Sequence, residues 1–409
     1  MIACTCLSAF NQNFFKNAFT ILITYRLAES SSISAEKLIS IASALFILPF
    51  FLFSGVAGNL SDHYPKQTVV RILKIIEVVL YVFAFFAIYS GSIYAMLAAL
   101  ALIGTQAAFF SPVKYAILPS LLRHDEMIAG NGINEAGTYI SILVGTMLGG
   151  LLVLQENGAY LVGIPMILLA IMGVWASRYV PRNDPGNAAL SISLNPVTTT
   201  WVMLKQAFRN RRIFVGILGI SWFWTVGALY LMQLPILAKN ILGVNEEVVT
   251  FLYALFSIGI GIGSLLCHKL LKGQVKMTYV PWAILGVSVC GADIWWATSG
   301  MLHTADTYDG FRNFLDTAHD WRMTFDFLLM AVFGGMFIVP LYTMLQVESA
   351  EEDRARAIAS NNIVNAFFIA SSAVLIAVAY GMGADVRDIF IAAALVNLPV
   401  VVLIWKYVK

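Results

Sequence analysis

Apolar positions along this chain come in long, uninterrupted runs. Ile93 to Phe110 and Ile213 to Leu237 contain no Asp, Glu, Lys or Arg and show no alternation of period two. A helix needs about 20 apolar residues to cross a bilayer, whereas a strand of a membrane barrel would alternate over about 10. Backbone groups in lipid must find their partners within the segment or in a closed barrel, so runs of this kind predict spanning helices. The pattern places them at 2–27, 38–60, 70–91, 93–114, 131–153, 159–179, 213–238, 248–270, 278–299, 323–346, 359–383 and 386–406, which makes twelve.

Two polar segments interrupt the series. Pro181 to Arg212, opening on Arg182-Asn183-Asp184-Pro185-Gly186, reads as a linker, and its stretch Val197 to Phe208 predicts a helix lying on the membrane surface. The expected organisation is therefore a six-helix bundle over 1–180, a linker over 181–212 and a second six-helix bundle over 213–409. The other insertion, Gly300 to Trp321, carries Asp306, Asp309, Asp316 and Asp320 at spacings that fit no calcium loop, and is expected to be a solvated loop. An internal repeat supports two related halves without reference to hydropathy. Ile128-Ala129-Gly130-Asn131-Gly132-Ile133-Asn134-Glu135-Ala136 returns as Ile358-Ala359-Ser360-Asn361-Asn362-Ile363-Val364-Asn365-Ala366, identical at five of nine positions, and Pro112 with Tyr115 is echoed by Pro340 with Tyr342.

Composition agrees with the pattern, since 59% of the residues are hydrophobic and 12% charged. A net charge of +2 gives no bulk electrostatic case for nucleic acid, so the basic residues are read by position. With the N-terminus inside, Lys66, Arg71, Lys74, Arg123, Arg178, Arg182, Lys205, Arg209, Arg211, Arg212, Lys269, Lys272, Lys276, Arg354, Arg356, Lys406 and Lys409 fall on the cytoplasmic side. Arg26, Lys37, Lys239, Arg312, Arg322 and Arg387 remain outside. That asymmetry predicts cytoplasmic termini. Cys4, Cys6, Cys267 and Cys290 lie in or beside apolar runs and are expected to act as small buried hydrophobes. No cofactor and no metal site is expected.

Candidate chemistry sits on polar residues inside apolar spans. Asn13, Lys16, Asn17, Thr20 and Thr24 are spaced to share one face of the first span, and a lysine at that depth is costly enough to suggest a function. Lys114, next to Tyr115, is a second candidate cation, nearer the cytoplasmic end where it can reach water. Glu77 is expected to pair with Lys74 one turn earlier, and Glu135 to sit at the start of the fifth span. Asp293 and Asp326 fall toward the outer side, where water reaches them, and neither makes a convincing proton site. Gly145, Gly149 and Gly150 in the fifth span, and Gly259, Gly261 and Gly263 in the eighth, are spaced for close helix packing. The turn after the second span reads Gly58-Asn59-Leu60-Ser61-Asp62-His63-Tyr64-Pro65-Lys66. It resembles the G-x-L-[AS]-D-[RK]-x-G-[RK] signature of major facilitator carriers, matching at Gly58, Leu60, Asp62 and Lys66 and departing at His63 and Pro65. A small residue there admits a neighbouring helix, and a carboxylate can cap a helix N-terminus, expected here near Ala357 to Ser360.

Longer blocks carry a narrower resemblance. Leu7-Ser8-Ala9-Phe10-Asn11-Gln12-Asn13-Phe14-Phe15-Lys16-Asn17-Ala18, Ser111-Pro112-Val113-Lys114-Tyr115-Ala116-Ile117-Leu118-Pro119 and Ala129 to Gly137 are similar to the bacterial lysophospholipid transporter family. Ser221-Trp222-Phe223-Trp224, Phe256 to Ser264 and Phe333 to Tyr342 resemble its form fused to a glycerophospholipid acyltransferase. The resemblance implies an all-α membrane protein of the major facilitator fold in the bacterial inner membrane. It implies a carrier, not an enzyme, that brings lysophospholipids from the outer to the inner leaflet, with a separate acyltransferase as partner. The alternative is a carrier or efflux pump for another amphiphile or small molecule. Gln12 stands where the family usually has Asp, which removes a carboxylate beside Lys16. None of His63, His124, His268, His303 or His319 is followed five residues later by Asp, so the His-x4-Asp pair of an acyltransferase is absent from this sequence.

Overall fold

The computed structural model describes residues 1–27, 35–182, 187, 195–301 and 309–408. His303, Asp306, Lys409 and most of the 183–194 linker lie outside the described residues. The long helices, in chain order, are α1 Ile2–Leu22, α2 Ala35–His63, α3 Lys66–Tyr89, α4 Ile93–Ala116, α5 Met127–Val153, α6 Gly158–Arg178 and α7 Pro196–Arg209. They continue as α8 Arg211–Leu237, α9 Glu246–Leu271, α10 Val280–Ala297, α11 Ala318–Glu348, α12 Arg354–Gly381 and α13 Val386–Val408. Among the described residues, eleven helices are long and apolar enough to cross a membrane. The twelfth span is α1, whose 21 residues reach about 30 Å at the rise of an α-helix. Its apolar run is broken by Asn11, Gln12, Asn13, Lys16 and Asn17, the positions that also mark it as more than an anchor.

Short side chains set where several of these helices begin. Ser92 caps α4 by accepting from Ala95 N–H at 3.3 Å. Asn245 caps α9 by accepting from Glu247 N–H at 3.0 Å and Val248 N–H at 3.4 Å, with Glu246 and Glu247 in the first turn where the helix dipole favours them. Pro65 precedes α3 and donates no N–H, so only Tyr64 and Pro65 separate α2 from α3. Of the turn expected at Gly58–Lys66, residues Gly58 to His63 are instead the last two helical turns of α2, and the chain breaks only at Tyr64 and Pro65. Similarly, α5 begins at Met127 rather than 131, which puts Glu135 in its third turn, fully buried, and not at the helix start.

By their internal contacts the residues form two compact units. The first contains Met1–His124, Gly137–Ile213 and Leu345–Ala366; the second contains Asp125–Ala136, Phe214–Met344 and Phe367–Lys409. Each sequence half thus lends a short segment, one before and into α5 and one before and into α12, to the other unit. In the first unit, Phe14, Phe15 and Phe19 of α1 pack with Tyr81 of α3, Leu100 of α4 and Met166 of α6. Large apolar side chains are also exposed, such as Val79, Phe86, Leu168 and Trp175 in the first unit and Val289, Val374, Leu375 and Val402 in the second. Exposure on that scale would be untenable in water and is ordinary against lipid.

Glycines decide how closely the helices approach. A Cβ on Gly145 would stand 2.5 Å from the Phe10 carbonyl oxygen, and one on Gly149 would collide with that of Phe14, so α5 runs backbone to backbone along α1. In the second unit a Cβ on Gly259 would meet the Leu328 carbonyl oxygen at 2.8 Å, and one on Gly263 would overlap that of Val332, which brings α9 against α11 in the same way.

Candidate functional site

Two sites in the first unit follow from the polar residues. The first is built on Asp62 in the last turn of α2. Its side chain is buried, yet it has no shortage of partners: Oδ1 accepts from Ala355 N–H at 3.0 Å and Oδ2 from Arg356 N–H at 2.9 Å. Those N–H groups belong to the first turn of α12, which has no residues before it in the helix to accept them. A carboxylate there answers both the orphan donors and the positive end of the helix dipole. Helix α12 starts five residues before the expected 359, so the contact falls at Ala355 and Arg356, short of Ala357 to Ser360. Lys66 Nζ stands 3.9 Å from Oδ1 and Arg356 Nε 3.6 Å from Oδ2, the Arg356 guanidinium being shared with Asp353 through another of its nitrogens. Gly58, one turn earlier, makes the approach possible: a Cβ there would lie 2.7 Å from Ala359 Cβ and 3.1 Å from Arg356 Cα.

The second site is the polar face of α1. Lys16 is exposed, and among the described residues its side chain makes no hydrogen bond or ion pair; its Nζ lies 5.5 Å over the Phe46 ring of α2. The other polar residues of this face make bonds of their own. Asn13 Nδ2 donates to the Ala9 carbonyl at 2.8 Å, and Asn17 Nδ2 donates to the Thr146 carbonyl of α5 at 2.7 Å. Thr20 and Thr24 each donate to the carbonyl four residues back. Of the five polar residues spaced along this face, Lys16 is the one whose side chain donates no hydrogen bond to a described residue. Lys114 projects over the ring of its neighbour Tyr115, 4.7 Å from the centroid, on α4.

A third group was only half legible. Lys74 and Glu77 pair at 2.9 Å as expected, but both are buried inside the unit, so Lys74 is not one of the cytoplasmic loop cations. Lys74 Nζ also donates to the Cys4 carbonyl at 2.7 Å and to Ser8 Oγ, and lies 4.5 Å over the Phe110 ring. Glu77 accepts from Ser8 Oγ at 2.9 Å and from Gln106 Nε2 at 3.4 Å. The network ties α1, α3 and α4 together and uses up the carboxylate that might have approached Lys16. Ser8 and Gln106 carry no signal of their own in the sequence. In the second unit, Arg322 donates to Asp293 through Nε at 2.8 Å, Trp224 Nε1 donates to Tyr342 Oη at 3.0 Å and Trp222 Nε1 to Asn397 Oδ1 at 2.7 Å.

The sequence profile of the Major Facilitator Superfamily matches residues 1–307. The chain belongs to that superfamily. Among curated relatives, proteins titled lysophospholipid transporter LplT from Photorhabdus laumondii and Klebsiella pneumoniae are 25% and 28% identical to it. The matches cover 75% and 74% of this chain and 70% and 69% of theirs. Solved structures agree on the fold. The Escherichia coli fucose:proton symporter FucP superposes with a TM-score of 0.71 at 11% identity, over 100% of this chain and 98% of that one. The human organic anion transporter MFSD10 gives 0.72 at 14% identity, over 100% and 99%. The major facilitator fold and a multi-pass membrane protein, as the hydropathy pattern implied, are thereby established.

Proposed function

We propose that this protein is a non-enzymatic carrier that moves lysophospholipids from the outer to the inner leaflet of the bacterial inner membrane, its two six-helix halves alternating access to one substrate site. The observation that carries the reading is the match to lysophospholipid transporters over three quarters of the chain, joined to an available cation on α1. A lysolipid offers an anionic phosphate to Lys16 and a single acyl chain to apolar walls, and a lysine held at that depth needs water, a carboxylate or an anion. With Gln12 beside it and Glu77 committed to Lys74, an anionic ligand is the partner best suited to Lys16. Lys114 and Tyr115 serve the same pathway nearer the cytoplasmic end, and a separate acyltransferase would consume the delivered lipid. Gly58, Asp62 and Lys66 act as the conformational switch: the carboxylate holds the first turn of α12 in one access state and releases it in the other.

Reconstituted protein should accelerate entry of labelled lysophosphatidylethanolamine into vesicles above a protein-free control, and a phosphate-free single-chain amphiphile should move less. Movement of the second without the first would replace this reading by a carrier for another amphiphile.

A further inference from the structure

Helix α7 joins two spans and has three distinct faces. Taken at 3.6 residues per turn, Val197, Trp201 and Phe208 fall within about 40° of one another, and Lys205 and Arg209 lie about 80–120° round from Val197. Thr199, Met203 and Ala207 occupy the far side and are the residues buried against the protein. The apolar face is open: Val197 is 75% exposed and Trp201 68%. Lys205 and Arg209 are also exposed, and neither pairs with a described residue.

Connectivity fixes the depth of this helix. Only Asn210 separates it from α8, and Asn210 Oδ1 accepts from Arg212 N–H at 3.0 Å and Ile213 N–H at 3.3 Å, capping the span as the chain turns into the membrane. Against α2 it packs at Gly55, where a Cβ would lie 3.0 Å from Thr200 Oγ1. Gly55 is about two turns in from the end of α2, so α7 packs alongside the last two turns of that span. A helix at that depth with an aromatic-aliphatic stripe beside cations that pair with no described residue has the form of an interfacial element.

We infer that α7 is a binding surface for anionic lipid headgroups, with Val197, Trp201 and Phe208 set into the acyl boundary and Lys205 and Arg209 on the phosphates. The inference is independent of which substrate the protein carries. It is tested by hydrogen exchange of residues 196–209 in the full-length protein, held in nanodiscs of phosphatidylcholine alone or of phosphatidylcholine with phosphatidylglycerol. Two cations near an anionic surface should slow exchange about tenfold in the phosphatidylglycerol membrane. The difference should shrink in high salt and vanish in the exposed double variant Lys205→Gln, Arg209→Gln. Equal exchange in the two membranes, or a difference that survives in the double variant, would overturn the headgroup-reading role. Because the readout contains no lysolipid, failure here leaves the carrier reading untouched, and failure of lysolipid transport leaves this one untouched.

Discussion

Asp62 and Lys16 occupy opposite electrostatic situations. Asp62 receives two backbone N–H groups and faces two cations, one of them shared with Asp353. Asp62→Asn would keep one accepting oxygen, turn an amide NH2 toward a backbone donor and lose the charge that strengthens both bonds. Hydrogen bonds to a charged group contribute about 1.5–3 kcal/mol, so lysolipid entry by Asp62→Asn should slow by about tenfold or more with the fold retained. Unchanged entry in correctly inserted protein would end the switch role. Lys16 has an aromatic ring near it and no counter-charge among the described residues. Lys16→Ala should weaken binding of lysophosphatidylethanolamine by about one to two orders of magnitude, and Lys16→Arg should keep part of it. Titrating a phosphate-free single-chain amphiphile alongside tests the assignment, because equal losses for both ligands would make Lys16 a structural residue. Lys74 and Glu77 show the third possibility, a buried pair whose partners are internal. Removing one charge leaves the other stranded, so Glu77→Gln should lower stability by about 3–5 kcal/mol, read as a fall in unfolding temperature in lipid.

Among the elements, close approach depends on positions where no side chain is tolerated. Gly145→Ala would force a methyl into the Phe10 carbonyl of α1, against backbone that cannot swing aside. Strain of this kind costs about 1–3 kcal/mol, and the thermal midpoint should fall accordingly. Gly227 of α8 supplies the contrast. Nothing lies within 4 Å of where its Cβ would be, so Gly227→Ala should leave the midpoint unchanged or raise it, alanine being the better helix former. Equal effects of the two substitutions would mean that the glycine spacing does not set the helix contacts. Helix boundaries follow similarly local chemistry: Pro65, Asn195 and Asn245 start α3, α7 and α9 where the sequence pattern places them within a few residues.

For the whole molecule, the concentration of Lys and Arg in one set of loops predicts that Asn187 and the C-terminal end share the cytoplasmic side. Reporter fusions at both positions should be active inside and silent outside; an outside-active fusion at either would reverse the topology. Local periodicity is enough to expose twelve spans, the helix of the linker, the polar face of α1 and the repeat that relates the beginnings of α5 and α12, because each is written within one or two helical turns. The partners of the polar side chains are not written locally. Asp62 meets residues 293 and 294 positions away, Ser8 meets Glu77 69 positions away, and Asn17 meets Thr146 129 positions away. Each choice depends on which helices lie side by side and on how near glycine lets them come. Only the tertiary structure could therefore turn Asn17 toward the Thr146 carbonyl, take Lys74 into the interior, and leave Lys16 without a charged partner among the described residues.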